Sequence, residues 1–273
     1  MQEKFSESYV QDIVALLNSN DENLRAGAAH AVAYIVDNNC TVHALYQFVY
    51  PFECLGRHKT ILRNYGTVAK LVELLSHNAS PDVQEAAARA IRGVVRNESR
   101  GITDTIPFLP WRYNVNKDLY HSIRSSGAVN ALANLLKNNH AGCRQAALSA
   151  LWQISATADN NFRRQVADAC TPKSVVAALS DEDAHTHYFA LNLIGNLTVG
   201  NGAHMLCVLL ETNLSDPDHV MEQYLVAGVV PQLKHLQASQ DPDVQNLAYN
   251  IYLAYTRNRS RFNILSYSGY SVR

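Results

Sequence analysis

The sequence predicts an all-α fold: an α-solenoid of about five repeated three-helix units with long insertions between some of them. Three observations carry that reading. The phrase Pro-Asp-Val-Gln occurs at 81–84 and again at 242–245, and the apolar residues behind both copies keep the same spacing. Five segments carry an alanine at one and the same helical position. Three of them also have a glycine and a short apolar run at a matching distance upstream.

The third and longest helix of each unit is read with a ruler. Counted from Val83, small or apolar residues fall at plus 4, 7, 8 and 11: Ala87, Ala90, Ile91 and Val94. That spacing is one face of an α-helix. From Leu24 the ruler meets Ala28, Ala31, Val32 and Ile35, and from Cys143 it meets Ala147, Ala150, Leu151 and Ile154. From Thr186 it meets Ala190, Leu193, Ile194 and Leu197, and from Val244 it meets Ala248, Ile251, Tyr252 and Tyr255. A generic amphipathic helix varies at plus 4. An alanine kept there predicts close approach of a neighbouring helix.

The middle helix is the run YGTVAKLVELL, SGAVNALANLL or AGVVPQLKHL, with YVQDIVALL and TPKSVVAAL in the same slot of units one and four but without the glycine. Gly66, Gly127 and Gly228 stand 16 or 17 residues before their anchors, where each can end one helix and open a sharp turn into the next. Segments such as HKTILRNY, LYHSIRSS, FRRQVADA and MEQYLVA supply a short first helix. Asp82 and Asp243 are read as acceptors near the start of the third helix, with Pro81 and Pro242 just outside its first turn.

A glycine before a xVxxLxxLL helix, then VQxxAxxAIxxV, resembles the armadillo repeat. The resemblance covers five units at about 8–38, 58–97, 118–157, 161–199 and 219–258, within a single solenoid of residues 1–258. It implies a right-handed superhelix whose third helices line a concave groove. The anchors are separated by 59, 60, 43 and 58 residues, so three connections carry extra length: about 39–57, 98–117 and 200–218. Two of these are aromatic and proline-interrupted. They predict a ridge of Phe48, Tyr50, Phe52, Phe108, Trp111 and Tyr113 beside units one to three, with Phe108, Trp111 and Tyr113 as an edge-docking surface. Residues 259–273 form a basic tail rich in serine and tyrosine around the apolar Phe-Asn-Ile-Leu of 262–265.

Composition removes several classes of function. Lysine plus arginine total 23 and aspartate plus glutamate 24, a balance with no global pull toward nucleic acid or an anionic membrane. No apolar run of spanning length occurs, and the polar start is unlike a secretory signal. The five scattered cysteines fit no zinc ribbon or CxxC pair and read as reduced, structural thiols. A cytoplasmic location is expected, with nucleus or cilium as the alternatives. No nucleophile elbow, HExxH, Walker loop or dinucleotide fingerprint is present. His185 and His187, two residues apart, point apart on a helix; Cys54 and His58 lack a second pair. Neither an enzyme nor a cofactor, metal or small-molecule substrate is expected.

What remains is binding of another polypeptide. Plus 6, 10 and 13 are taken to lie away from the core face, which places His30, Tyr34, Arg89, Arg96, Gln153, Asn192, Asn196 and Asn250 along the groove. Armadillo proteins that bind nuclear-localisation peptides typically carry tryptophan at plus 6 and asparagine at plus 10. Here only Asn196 matches, so the resemblance transfers one residue of that role. Side-chain amides can hold the backbone of an extended or helical segment. Arg89 and Arg96, with Arg92 near them, favour an acidic stretch. The expected function is a non-catalytic adaptor. The alternatives are a structural subunit of a large cytoskeletal or ciliary assembly and a regulatory exchange factor for a nucleotide-binding partner.

Overall fold

The computed structural model describes residues 7–45, 62, 65–76, 78–95, 117–157, 160–198 and 217–257, and every regular element among them is helical. The stretch 1–258, read from the sequence as one solenoid, groups into two compact units, Met1–Thr157 and Ala158–Arg273.

The first unit holds α1 (Glu7–Leu16), α2 (Glu22–Leu45), α3 (Thr67–Glu73), α4 (Pro81–Val95), α5 (Lys117–Ser125), α6 (Ala128–Leu135) and α7 (Ala141–Thr157). Its spine is the three third helices: α2 packs on α4 and α4 on α7. The middle helices α1, α3 and α6 lie on their own third helices α2, α4 and α7, and α5 packs on α6 and α3. The second unit holds α8 (Asn160–Ala169), α9 (Pro172–Ala177), α10 (Ala184–Thr198), α11 (Pro217–Val226), α12 (Val229–Leu236) and α13 (Pro242–Arg257). A turn of 3-10 helix, Ala178–Ser180, carries α9 toward α10. There α10 packs on α13, α12 on α13, and α8, α9 and α11 on α10.

The ruler faces inward. Ala28, Ala87, Ala147, Ala190 and Ala248 are all buried, and so are the anchors Val83, Cys143, Thr186 and Val244. Alanine suits plus 4 because third helices lie side by side there and a longer side chain would push them apart. Leu24 differs from the other anchors and is 47% exposed, since no described third helix stands in front of α2.

Gly66, Gly127 and Gly228 have φ of 63°, 76° and 86°, the left-handed region that an L-side chain enters only with strain. Each is the N-cap of its middle helix: α3, α6 and α12. The fourth unit opens its middle helix differently, from the extended Thr171 ahead of Pro172. Proline at the first helical position needs no N–H there.

Two sequence readings are corrected. Pro81 and Pro242 are the first residues of α4 and α13 and not outside them. The capping acceptor of α13 is accordingly Asp241, whose Oδ1 accepts the amides of Asp243 and Val244 at 2.9 and 3.2 Å. Asp21 caps α2 in the same way, accepting from Asn23 at 2.8 Å. The insertion read as beginning at residue 39 starts later, because α2 continues to Leu45.

Candidate functional site: the outward faces of the third helices

On α2 the residues His30 and Tyr34 are exposed, Tyr34 by 61%. They sit one helical turn apart, so they share a face. On the adjacent α4, Arg89 occupies the register position of His30 and is also exposed. The position matching Tyr34 on α4 is Gly93, which is buried and presents no side chain. Within the first unit the structure therefore brings together His30, Tyr34 and Arg89 on two helices packed side by side.

The remaining positions depart from the expected ladder. Gln153, Asn192 and Asn196 are buried, with 8%, 8% and 3% of their surface accessible, and Asn250 is half-buried. Asn192 donates through Nδ2 to the carbonyl oxygen of Tyr188 at 2.8 Å, which satisfies its amide on its own helix. At 100° per residue plus 10 falls on a flank of the wheel, about 75° from the direction opposite the ruler face, where a neighbouring helix can cover it. Plus 6 lies only about 35° from that opposite direction, so the wheel alone does not account for the burial of Asn192. Arg96 lies outside the described residues, as do Phe108, Trp111 and Tyr113 and the whole proposed aromatic ridge.

The charge on Arg89 is already balanced. Its Nη2 lies 2.6 Å from Glu85 Oε1, one turn earlier on α4, and Glu85 Oε2 is 3.7 Å from Nδ1 of His140. Glu85 thus sits between an arginine of its own helix and the loop that leads into α7. It also packs over Gly142, where a Cβ would collide with its carboxylate. The net positive patch that the sequence suggested near unit two is reduced by this pairing.

The two described free cysteines sit in the interior. Burial pushes the Cys143 thiol up to about 11, with Glu85 and Asp82 adding to it, and burial pushes Cys170 up to about 12. Neither is a thiolate nucleophile at neutral pH. His187, one of the paired histidines, has its Nε2 2.5 Å from the carbonyl oxygen of Asp181, so its ring serves the turn before α10.

Sequence reasoning overlooked the residue just after each anchor: Arg25, Gln84, Arg144, His187 and Gln245. The structure turns each of these side chains back to a carbonyl of the preceding turn. The repeated glutamine of the two Pro-Asp-Val-Gln phrases was the available signal.

The chain matches the Armadillo/beta-catenin-like repeat over residues 57–94 and 116–156. No curated protein sequence matches it. Among solved structures, a designed armadillo repeat protein in complex with the peptide (KR)4 is similar, with a TM-score of 0.64 and 20% identity over 91% of this chain and 82% of that one. Computationally designed armadillo repeat proteins for modular peptide recognition give the same values. The armadillo-repeats-only protein of Plasmodium falciparum is similar at a TM-score of 0.60 and 17% identity, covering 93% of this chain and 94% of that one. At such identities the likeness is one of fold, and the fold is that of stacked armadillo repeats.

Proposed function

We propose that this armadillo-repeat chain is a non-catalytic protein-binding module that holds a segment of another polypeptide across the exposed faces of α2 and α4. The single observation that carries this is the cluster of His30, Tyr34 and Arg89, exposed on two adjacent third helices whose inward faces are closed. An aromatic ring, an imidazole and a guanidinium on a rigid surface suit recognition of a peptide by stacking and hydrogen bonding. The likeness to designed armadillo proteins, one of them bound to a peptide, supports a polypeptide as the ligand class. Because Glu85 pairs with Arg89, the preference for an acidic partner is weaker than the sequence suggested, and the bound segment is expected to engage Tyr34 and His30 first.

The test is affinity capture with the full chain, followed by titration of the recovered partner against variants. Tyr34→Ala and His30→Ala are each expected to weaken binding by at least about 1 kcal/mol, with the helical circular dichroism spectrum unchanged. Arg89→Glu is expected to have a smaller effect. Binding unaffected by the Tyr34→Ala, His30→Ala double variant would remove this face as the site.

A further inference from the structure

Plus 0, 3, 7 and 10 of a third helix share one flank. That flank meets the third helix before it. Cys143, at plus 0 of α7, donates through Sγ to the carbonyl oxygen of Pro81 at the start of α4, 3.2 Å away. Ile251, at plus 7 of α13, is the side chain that a Cβ on Gly195 of α10 would meet at 3.7 Å. Plus 0 and plus 7 are accordingly buried in the last four repeats.

On α2 the same flank is open. It reads Leu24, Gly27, Ala31 and Tyr34. Leu24 is 47% exposed and Tyr34 61%. Gly27 is exposed, and nothing lies within 4 Å of where its Cβ would stand. Ala31 is half-buried, whereas plus 7 is buried in every other repeat. The face has the pattern of a helix-to-helix contact, with no described third helix upon it. Its side chains run large, small, small, large.

We propose that this flank pairs with the same flank of a second copy of the chain, α2 against α2, antiparallel about a two-fold axis. A two-fold interface uses one patch twice, so the patch must match itself. This one does. Leu24 faces the partner's Tyr34 and Gly27 faces the partner's Ala31, both pairs being centred on position 29. The small pair in the middle lets the two axes approach to about 8 Å, the close end of the range for packed helices. Leucine and tyrosine then close the contact on either side, and tyrosine is a residue that interfaces favour. Antiparallel pairing also sets the positive end of each helix beside the negative end of the other. A polar peptide gains little from Gly27 and Ala31, which offer it no side-chain donor or acceptor. The dimer does not rest on the peptide reading above, yet it takes Tyr34, so a captured segment and a second copy exclude each other at this face.

Sedimentation velocity of the full chain, from low to high micromolar concentration, tests this. A reversible monomer–dimer equilibrium is expected. Leu24→Glu, Gly27→Glu and Tyr34→Lys, all at exposed positions, should each be monomeric with the helical circular dichroism spectrum unchanged. An equimolar mixture of the Leu24→Glu and Tyr34→Lys chains should dimerise again, because antiparallel pairing sets the new carboxylate against the new ammonium and leaves the other end native. An unmodified chain that stays monomeric overturns the proposal and leaves the peptide reading, which is scored on a captured partner, standing. A dimer that survives both Leu24→Glu and Gly27→Glu places the contact elsewhere and overturns it too. So does a mixture of the two charged variants that stays monomeric, since it denies the antiparallel pairing.

Discussion

Gln84 donates through Nε2 to the carbonyl oxygen of Ser76, 2.7 Å away, and so ties the start of α4 to the turn that ends α3. Gln245 makes the matching bond to Gln237 at 2.9 Å. The other three repeats reach the same end with different residues. Arg25 donates to Ser19 and Asn20 at 2.8 and 3.2 Å, and Arg144 to Asn138 and Asn139 at 3.1 and 3.0 Å. His187 meets Asp181. Carbonyls at and after a helix C-terminus lack intrahelical partners, and a donor one residue past the anchor supplies one. Gln84 goes further and accepts from Nδ2 of Asn138 at 2.8 Å, which links it to the turn before α7.

Gln84→Ala should therefore destabilise more than Gln245→Ala. Gln84 is buried, and its loss removes the bond to Asn138 as well as that to Ser76, whose carbonyl keeps the amide of Ala79; the cost is about 1–3 kcal/mol. Gln245 is exposed, so water replaces the bond and the cost should stay below about 1 kcal/mol. Urea unfolding of the two variants measures the difference; equal midpoints would show that the link through Asn138 adds nothing.

Ala147→Leu should overpack the contact between neighbouring third helices and cost about 1–3 kcal/mol. Ala147 has no accessible surface. A neutral Ala147→Leu in thermal unfolding would mean that plus 4 is not a close-approach position.

Glycine substitutions should divide by backbone angle and not by crowding. Gly127 has open space where a Cβ would stand but a φ of 76°, so Gly127→Ala should cost about 1–2 kcal/mol through conformation alone. Gly195 lies inside α10 with room for an ordinary contact to Ile251, so Gly195→Ala should be neutral or stabilise by up to about 1 kcal/mol. Denaturant midpoints that failed to separate the two variants would contradict this assignment.

The buried thiols predict an alkaline limit. A folded value raised above the ordinary 9.0 contributes stability that is fully present below pH 9. That contribution is lost as pH rises toward about 11 for Cys143 and about 12 for Cys170. Tyr224 and Tyr255 are raised as well, mainly by burial, and steepen the loss. Helical signal followed from pH 8 upward should fall above pH 9, and Cys170→Ala should soften the fall. Rapid reaction of Cys143 or Cys170 with a thiol reagent at pH 8 would show that they are not enclosed.

Glu22 should titrate below the ordinary carboxylate range. Its Oε1 accepts the amide of Ser80, the residue before α4, at 2.6 Å, and hydrogen bonding to Ser80 is the main cause, with Arg25 adding a smaller attraction. A lowered carboxylate contributes stability above its unfolded value and loses it as pH falls through the folded one. An NMR titration of the side-chain carboxyl carbon checks it, and Ser80→Pro, which removes the amide, should return Glu22 toward the ordinary range.

How much of this was legible in the sequence varies by residue. The plus 4 alanines were, because helical periodicity and the demand for a small residue recur five times and noise does not. Gly66, Gly127 and Gly228 were, because a position that needs positive φ selects glycine at a repeated distance. Gln153, Asn192 and Asn196 were misplaced, since a helical wheel describes directions about one axis and says nothing about which flanks a neighbour covers. The pairing of Glu85 with Arg89 follows the four-residue rule and was within reach, yet it was the arginine alone that was read.

Local chemistry thus set the helices, their order, their starts and stops and the five-fold register, because periodicity, backbone angle and capping act within a few residues of the chain. The stacking of third helices settled the rest. It buried Gln153, Asn192 and Asn196, left His30, Tyr34 and Arg89 outside, and exposed Tyr249 at a position that is buried in every other repeat. Exposure is a property of what lies alongside a helix, and in a stack that neighbour is encoded some 40 to 60 residues away in the sequence.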